Sequence, residues 1–283
     1  MTVTALTEPP ATFAGLSLER PLVMGIVNVT PDSFSDGGDR FETEKAIAAG
    51  REMLAQGADL LDVGGESTRP GADPVAEEEE LARVLPVIEA LAGEGAAVSI
   101  DSRHAAVMRA AVGAGARIVN DVTALTGDPA ALETVAELQV PVVLMHMQGE
   151  PRTMQADPRY DNVVREVGDF LVERAAACEA AGIRRQDICI DPGIGFGKTV
   201  EHNLSLLRHL DSLAARGYPV LLGASRKAFI GKLSRGEPPK ERVAGSVAIA
   251  LAAAARGAAI LRVHDVAETA QALTLWHSIQ TAP

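Results

Sequence analysis

The stretch "MLAQGADLLDVGG" (53–65) decides the fold class, because four other segments of the chain repeat its pattern. In each segment an Ala-rich amphipathic part ends at a glycine, a short aliphatic run follows, and a polar residue comes next. The glycine suits the left-handed position that ends many helices. The aliphatic run is too continuous for a strand with one wet face, so it indicates a strand buried on both faces. The other four segments are 110–122, 180–193, 214–225 and 253–265.

Helices that alternate with such strands imply a parallel sheet. The predicted strands are 22–28, 59–63, 97–101, 117–121, 141–146, 188–191, 219–224 and 260–263. The predicted helices are 43–56, 76–93, 103–114, 129–138, 161–181, 200–216, 240–256 and 266–279. Eight strand–helix units in 283 residues predict an α/β fold, a (β/α)8 TIM barrel with long first and second βα loops. A doubly wound open sheet is the alternative.

The two long loops, 28–43 and 64–79, are rich in the turn-forming residues Gly, Pro, Ser and Asp. In a TIM barrel such loops lie at the carboxyl ends of the strands and build the substrate site. We expect residues 1–12 to form a loose N-terminal tail and 13–283 to form a single domain, since no Ser/Gly-rich linker divides the chain. A short strand within 13–18 would cap the opposite end of the barrel.

Composition excludes several classes of protein. A formal charge of −12 argues against general nucleic-acid binding, because a polyanion would be repelled. The first residues contain no basic region or long apolar run, so we expect no signal peptide. The apolar segment 243–255 is too short for a membrane span and indicates a buried helix. Cys178 and Cys189 lack metal or redox spacing, which predicts reduced thiols in a cytoplasmic protein.

The stretch "DPGIGFGKT" (191–199) has the look of a phosphate-binding loop but does not match the pattern. A phosphate loop that ends at Lys198 requires its first glycine at position 192. Pro192 stands there, and proline has no amide hydrogen and a fixed φ. The dinucleotide fingerprint fails too, because it requires Gly or Ala where Lys198 stands. The glycines therefore indicate a tight turn after a strand rather than ATP binding.

Polar residues follow all eight predicted strands. Because parallel strands of a barrel end at the same face, these side chains should form a polar ring at the mouth of an aliphatic core. The ring consists of Asn28, Asp62, Asp101, Asn120, Asp121, His146, Asp191, Ser225, Arg226, Lys227, Arg262 and His264.

The ring suits a flat heterocycle with a donor–acceptor edge, such as a 2-amino-4-oxo ring. The carboxylates of Asp101 and Asp191 would accept from ring N–H and amino groups, while Asn120 and Lys227 would donate to ring oxygen and nitrogen. A second group of residues could hold a phosphate or carboxylate. This group consists of Asn28, Arg69, Arg262 and His264.

Three residues of the ring keep two interpretations. Asp62 either contacts substrate or ties its neighbouring loop in place. His146 is either a ligand or a satisfied core histidine. Lys227 could form a Schiff base, although its place beside Arg226 favours an anion or ring-edge donor. No His/Cys/Asp cluster has metal-ligand spacing, but a Mg²⁺ held mainly by pyrophosphate would leave no such pattern.

Seven motifs follow one another along the chain: "GIVNVTPDSFSDGG", "DVGGESTRPGA", "SIDS", "IVNDV", "DPGIGFGKTVEHN", "GASRKAFIG" and "RVHDV". They cover about residues 20 to 266. Together, and in this order, they resemble dihydropteroate synthase, a folate-pathway enzyme family. In that family the loop that corresponds to the one after Asp191 lies beside the pterin.

The resemblance implies a role for each site residue. The catalytic residues would be Asp101, Lys227 and Arg262. The pterin site would comprise Asp101, Asn120, Met145, Asp191, Phe196, Gly223, Lys227 and Arg262. The p-aminobenzoate site would comprise Phe34, Thr68, Arg69, Pro70, Ser225 and Arg226. The diphosphate would lie against Asn28, Arg69, Arg262 and His264, with Mg²⁺ bound to Asn28.

The resemblance also implies the reaction and the partners. The family joins 6-hydroxymethyl-7,8-dihydropterin diphosphate to p-aminobenzoate, through a pterin-stabilised cation, and releases 7,8-dihydropteroate and pyrophosphate. Sulfonamides would compete with p-aminobenzoate, and a homodimer through the last barrel helices is expected. A pterin-dependent methyltransferase and a non-catalytic pterin-binding paralogue remain as alternatives.

Overall fold

The computed structural model of the chain describes residues 10–30, 39–67, 74–150 and 153–282. Its strands are β1 (Thr12–Phe13), β2 (Leu16–Ser17), β3 (Leu22–Asn28), β4 (Leu60–Gly64), β5 (Val98–Asp101), β6 (Ile118–Asp121), β7 (Val142–Met145), β8 (Ile188–Asp191), β9 (Val220–Leu222) and β10 (Ala258–Val263). Strands β3 to β10 close into a parallel barrel in the order β10-β3-β4-β5-β6-β7-β8-β9. The TIM barrel is confirmed, and the open sheet is excluded.

Ten helices surround the barrel within the described ranges. They are α1 (Asp39–Ala55), α2 (Glu77–Gly93), α3 (Ala105–Gly113), α4 (Ala131–Leu138), α5 (Val163–Ala180), α6 (Val200–Arg208), α7 (Leu210–Ala214), α8 (Ala228–Leu233), α9 (Val243–Ala254) and α10 (Val266–Gln280). The connection from β3 to α1 and the one from β4 to α2 correspond to the two long loops of the prediction. Part of each, 31–38 and 68–73, lies outside the described residues.

Most barrel strands are buried on both faces, as their aliphatic runs predict. All five residues of β4 and all four of β7 are buried. One face packs into the barrel and the other packs under the surrounding helices. The polar residue at the carboxyl end of each strand is thus the first one that a ligand at the barrel mouth can reach.

Most observed elements begin or end within a few residues of the predicted bounds, and three differences have a structural reason. The predicted helix 200–216 is two helices, because His209 leaves helical geometry (φ −111°, ψ 29°) between α6 and α7. The predicted strand 141–146 ends at Met145, so His146 lies just beyond β7. Helix α8 was not predicted, because its six residues are too few to show a helical period.

A small hairpin lies where one short strand was expected. Strands β1 and β2 pair antiparallel around a tight turn, in which Ala14 (φ 51°) and Gly15 (φ 79°) adopt left-handed conformations. Phe13 is only 1% exposed and packs with a ring of inward residues from the barrel strands. These residues are Leu22, Met24, Leu60, Ala97, Ile118, Val143, Cys189, Leu221 and Ile260. The hairpin therefore closes the barrel at the end opposite to the polar ring.

None of the described helices is both long enough and apolar enough to cross a membrane.

We expect Phe13→Ala to destabilise the fold by about 3–5 kcal/mol, because it removes the aromatic ring that fills the closed end of the barrel. Denaturant unfolding measures the loss, with the exposed neighbour Thr12→Ala as the control. At a temperature where the variant is fully folded, its kcat/KM should match that of the parent protein, since the polar ring lies at the other end. A stability change equal to that of Thr12→Ala would show that the hairpin does not close the core.

Candidate active site

A buried charge cluster occupies the barrel mouth. Arg262 of β10 reaches across to Asp62 of β4, with Nε 2.6 Å from Oδ2, and to Asp101 of β5, with Nη2 2.7 Å from Oδ2. The amide of Asn120 on β6 donates to the same Asp62 oxygen at 3.0 Å. Asp62 is 0% exposed, and its other oxygen has no hydrogen-bond partner among the described residues. Asp62 therefore orients Arg262 and Asn120 through one carboxylate oxygen.

Burial shapes the protonation of this cluster. It raises the pKa of Asp101 above its ordinary value, while the Arg262 guanidinium opposes the rise and Asp62 adds to it. Arg262 itself stays charged, because Asp62 and Asp101 raise its pKa against the effect of burial. Two carboxyl groups surround one guanidinium here, so the cluster offers oxygen acceptors to a ligand that donates hydrogen bonds.

Asp191 ends β8 and lies at the start of a turn built from glycines. The amide of Gly193 donates to its Oδ1 at 2.8 Å. Burial raises the pKa of Asp191 to about 6, and the Gly193 amide and Lys227 oppose that rise. Gly223 leaves room beside it, since a Cβ built there would lie 3.9 Å from both Arg262 and the Asp191 carboxylate. Asp191 thus presents a carboxylate to an open side of the pocket.

The glycines of the 193–197 turn are required by geometry. Gly193 has φ +66°, and a Cβ built on it would lie 2.0 Å from the carbonyl oxygen of His146. Gly197 has φ +60°, and its Cβ would lie 2.4 Å from the carbonyl oxygen of Gln148. Both contacts are to backbone atoms, so no side-chain movement relieves them. The turn therefore packs directly against the segment that follows β7, and this close packing is the reason that a glycine-rich stretch follows β8.

Lys198 fixes this turn from beneath. Its Nζ lies 3.0 Å from Nδ1 of His146 and donates to the carbonyl oxygens of His146 (3.2 Å) and Phe196 (2.9 Å). Burial lowers the pKa of Lys198 to about 7. The sequence showed Lys198 only as a failed phosphate-loop lysine, and no pattern indicated that it binds backbone carbonyls.

The contacts of His146 favour its interpretation as a core histidine over that of a ligand-binding residue. Its ring packs edge-on against Phe170, with centroids 4.9 Å apart, and it is buried. Burial, with Lys198 adding, lowers the pKa of His146 to about 3. A neutral ring that contacts Lys198 supports the turn and is not directed at a ligand.

Lys227 and Phe196 form the wall opposite Asp191. The Lys227 Nζ lies 4.0 Å above the centre of the Phe196 ring, a cation–π arrangement. Phe196 also packs with Met145, Val122 and Met154 in a small apolar cluster. An apolar wall beside a charged amino group suits one face and one edge of a flat polar ring.

Ser225, Arg226 and His264 lie together at the edge of the mouth, and each of them already contacts another residue. The Arg226 guanidinium binds Asp265 through both carboxylate oxygens. The Ser225 hydroxyl accepts from the amide of His264 at 3.2 Å and lies 3.1 Å from its Nδ1. Burial, with Arg226 and Arg262 adding, lowers the pKa of His264 to about 3. His264 would therefore hold an anion as a neutral hydrogen-bond donor.

The remaining predicted residues divide into two groups. Asn28 ends β3 beside Gly64 of β4 and is partly exposed at the mouth. Its amide oxygen is a ligand of the type that Mg²⁺ accepts together with water and phosphate oxygens. Four predicted residues, Phe34, Thr68, Arg69 and Pro70, lie outside the described residues.

Comparison with known proteins places this site in a family. The family model described as "Pterin binding enzyme" matches residues 24–264. The dihydropteroate synthase of Haemophilus influenzae is 50% identical over 268 residues, which is 94% of this chain and 97% of that protein. The dihydropteroate synthase of Escherichia coli K12 is 49% identical, over 91% of each chain. The chain belongs to the dihydropteroate synthases among the pterin-binding enzymes.

Solved structures of this family agree with the fold. The Xanthomonas albilineans enzyme with 4-aminobenzoic acid superimposes with a TM-score of 0.91 at 56% identity, over 98% of this chain and 100% of that one. The Yersinia pestis enzyme in a sulfonamide drug complex gives a TM-score of 0.90 at 48% identity, over 94% and 97%.

The structure brings the predicted pterin residues of the family around one pocket. Asp101 and Arg262 are in direct contact, Lys227 and Phe196 are in contact, and Gly223 separates Arg262 from Asp191. The individual roles of these residues stay predictions. Sequence reasoning missed Lys198 entirely and left Asp62 undecided, because in both cases the decisive partner is distant in the chain.

We expect Gly193→Ala to abolish pterin binding or folding, because its Cβ would collide with a backbone carbonyl in a conformation that alanine rarely adopts. Gly95→Ala is the matched control: Gly95 also has a positive φ (+94°), but its Cβ would meet nothing within 4 Å. Both variants place alanine at a positive φ, but only Gly193→Ala adds the steric collision. The difference between their urea unfolding midpoints therefore measures the destabilisation that the collision causes. Equal midpoints would contradict the close packing of the turn against His146.

Proposed function

We infer that this chain catalyses the condensation of 6-hydroxymethyl-7,8-dihydropterin diphosphate with p-aminobenzoate to give 7,8-dihydropteroate and pyrophosphate. One observation carries the assignment at the level of the site: a buried guanidinium, Arg262, is held between strand-end carboxylates at the mouth of the barrel. Asp191 and Lys227 complete a set of acceptors and donors that fits the edge of a pterin. Sulfonamides, which resemble p-aminobenzoate, are the expected competitors.

The proposed mechanism develops charge at the pterin. Cleavage of the C–O bond to the diphosphate leaves a cation delocalised over the dihydropterin and an anion on the leaving group. The carboxylates of Asp101 and Asp191 favour the cation, because they are fixed in place and largely removed from water. The amino group of p-aminobenzoate then attacks the carbon as a neutral nucleophile and releases a proton to solvent, so no general base is needed for the attack.

The leaving group is assigned to the opposite side of the mouth. Asn28 would bind the Mg²⁺, which neutralises part of the diphosphate charge when bound, and His264 would donate a hydrogen bond from its neutral ring. Arg262 would contribute its charge without moving, since Asp62 and Asp101 already hold its guanidinium. The p-aminobenzoate pocket is assigned to Ser225 and Arg226 together with the four residues of the long loops.

An inactive pterin-binding paralogue and a methyltransferase predict different products. We expect the purified protein to release pyrophosphate only when both substrates are present and to transfer no methyl group from methyltetrahydrofolate to a corrinoid. Within that assay, Asp101→Asn and Lys227→Ala should each lower kcat/KM by about 10- to 100-fold, because each removes a charge-assisted hydrogen bond to the pterin.

Lys232→Ala is the control for that prediction, since Lys232 is an exposed lysine on α8 near Lys227 in the chain. It should keep full activity, and circular dichroism should show all variants folded. Activity of Lys227→Ala equal to that of Lys232→Ala would remove Lys227 from the proposed pterin site.

The raised pKa of Asp191 predicts a pH dependence of pterin binding. The carboxylate accepts hydrogen bonds only when ionised, so binding should be complete well above pH 6 and should weaken as the pH falls through about 6. Calorimetric titration of the pterin substrate from pH 5 to 8 measures this. Asp191→Asn should bind weakly and should lose the part of the dependence centred near pH 6, while the part due to Asp101, whose pKa burial raises to about 7, remains. An unchanged pH profile in Asp191→Asn would assign the ionisation to another group.

We also propose a cytoplasmic homodimer through the last barrel helices. Leu275 and Ile279 of α10 are 61% and 71% exposed, and Ala244 and Ala248 give α9 an exposed apolar face. Apolar side chains this exposed favour burial against a second copy. Light scattering at micromolar concentration should give the mass of a dimer, and Leu275→Lys together with Ile279→Lys should give a monomer. A monomeric mass for the parent protein would overturn the proposal.

A further inference from the structure

A second cluster of ligand-type side chains lies behind the barrel mouth, apart from the pterin pocket. Glu80, in the first turn of α2, is 0% exposed, and neither of its carboxylate oxygens has a hydrogen-bond partner among the described residues. Gly65 lies close against its side chain, since a Cβ built on Gly65 would lie only 3.1 Å from Cγ of Glu80. The carboxylate is therefore enclosed by the start of the second long loop and cannot reach bulk water.

The unpartnered carboxylate faces an unpartnered ring nitrogen. Nε2 of His104, in the connection between β5 and α3, is buried and lacks a hydrogen-bond partner within the same described part of the chain. It lies 4.0 Å from Oε2 of Glu80 and 4.0 Å from Oε2 of Glu66. The three ligand atoms lie within 4.8 Å of one another. Ligand atoms of one tetrahedral ion, each about 2.1 Å from it, lie about 3.4 Å apart, so the two 4.0 Å spacings must close by roughly half an ångström when an ion binds.

The carboxylates of this cluster outnumber the basic side chains beside them, so the cluster favours the binding of a cation. Arg103 is the nearby base, and it is engaged by Glu66 through two hydrogen bonds of 3.1 and 2.9 Å. Glu77 adds a further carboxylate, with Oε1 3.5 Å from Nδ1 of His104. Three carboxylates and one guanidinium leave two negative charges around the imidazole. An unpaired buried carboxylate is costly unless it takes up a proton or pairs with a cation.

We propose that Glu66, Glu80 and His104 bind a divalent first-row transition ion, with Zn²⁺ as the expected occupant. Two carboxylates and one imidazole are a ligand set that Zn²⁺ accepts, whereas Mg²⁺ prefers oxygen ligands alone. Glu77 completes the site from outside, because a carboxylate near the second ring nitrogen fixes the orientation of a metal-binding histidine.

This site has no residue in common with the Mg²⁺ site assigned to Asn28. Its ligands come from three places: the loop after β4, the first turn of α2, and the connection that follows β5. A bound ion would tie Glu66, near the start of the second long loop, to the helix and strand on either side. It would thus stabilise the base of the loop to which the p-aminobenzoate pocket is assigned.

The alternative occupant of the cluster is a proton on Glu80. Burial raises the pKa of that carboxyl to about 7, and the nearby Ser102 hydroxyl opposes the rise without meeting hydrogen-bond geometry. A protonated Glu80 would need no ion and would behave like glutamine. Substitution of Glu80 by glutamine therefore separates the two occupants.

Equilibrium dialysis of the chelator-treated protein against Zn²⁺, with Mg²⁺ in large excess, tests the proposal. We expect about one equivalent of Zn²⁺ per chain, retained against Mg²⁺, and a visible absorption band when Co²⁺ is used instead. Glu80→Gln and His104→Ala should each weaken Zn²⁺ binding by at least about 100-fold, since each removes a ligand of the ion. Zn²⁺ should raise the Tm of the parent protein and leave that of Glu80→Gln unchanged.

Glu78→Gln is the matched control, because Glu78 lies on the same turn of α2 but is exposed and outside the cluster. It should bind Zn²⁺ like the parent protein. Binding of Zn²⁺ that is equal in the parent, Glu80→Gln and His104→Ala would mean adventitious ions at other surface groups and would overturn the proposal. Absence of binding by the parent, or complete displacement by Mg²⁺, would overturn it as well.

Discussion

The buried contact of Arg262 with Asp62 and Asp101 is the interaction on which the site depends. Three charged side chains from β10, β4 and β5 meet at the mouth of an aliphatic barrel, and removing one partner from such a buried pair typically costs about 3–5 kcal/mol. The contact requires the last strand of the barrel, β10, to pair with the first, β3, because this pairing places β10 and β4 on the two sides of β3. The pairing that joins the first and last strands of the barrel is therefore also the pairing that assembles the charge cluster.

The rest of the pocket is arranged around that fixed charge. Asn120 shares an oxygen of Asp62, and Gly223 keeps space between Arg262 and Asp191. On the far side, the turn that carries Phe196 is held by Lys198, whose amino group binds backbone carbonyls and not a ligand. Fixed dipoles and charges of this kind stabilise a developing charge without reorganising during the reaction.

The sequence predicts the fold well because the signal is local and repeated. Each glycine, aliphatic run and terminal polar residue lies within one short segment, so the barrel and the ring of strand-end residues both follow from it. The identity of each residue's contact partner is not a local property. Arg262 is 200 residues from Asp62 in the chain, and only the folded chain shows that the two are in contact. The same limit explains why Lys198 and the cluster around Glu80 were missed.

Arg226 shows a different limit, because the sequence does not reveal that its charge is already paired within the chain. Sequence resemblance assigns it to p-aminobenzoate, yet its guanidinium binds Asp265 while its backbone adopts a left-handed conformation (φ 58°). Such a conformation is uncommon for arginine and persists only where its surroundings hold it, here through Ser246 on its amide and Arg242 on its carbonyl. If Arg226 contacts the second substrate, it does so with its charge already balanced by Asp265. It would then act as a rigid wall or a hydrogen-bond donor, and the carboxylate of p-aminobenzoate would need its main charge partner from elsewhere.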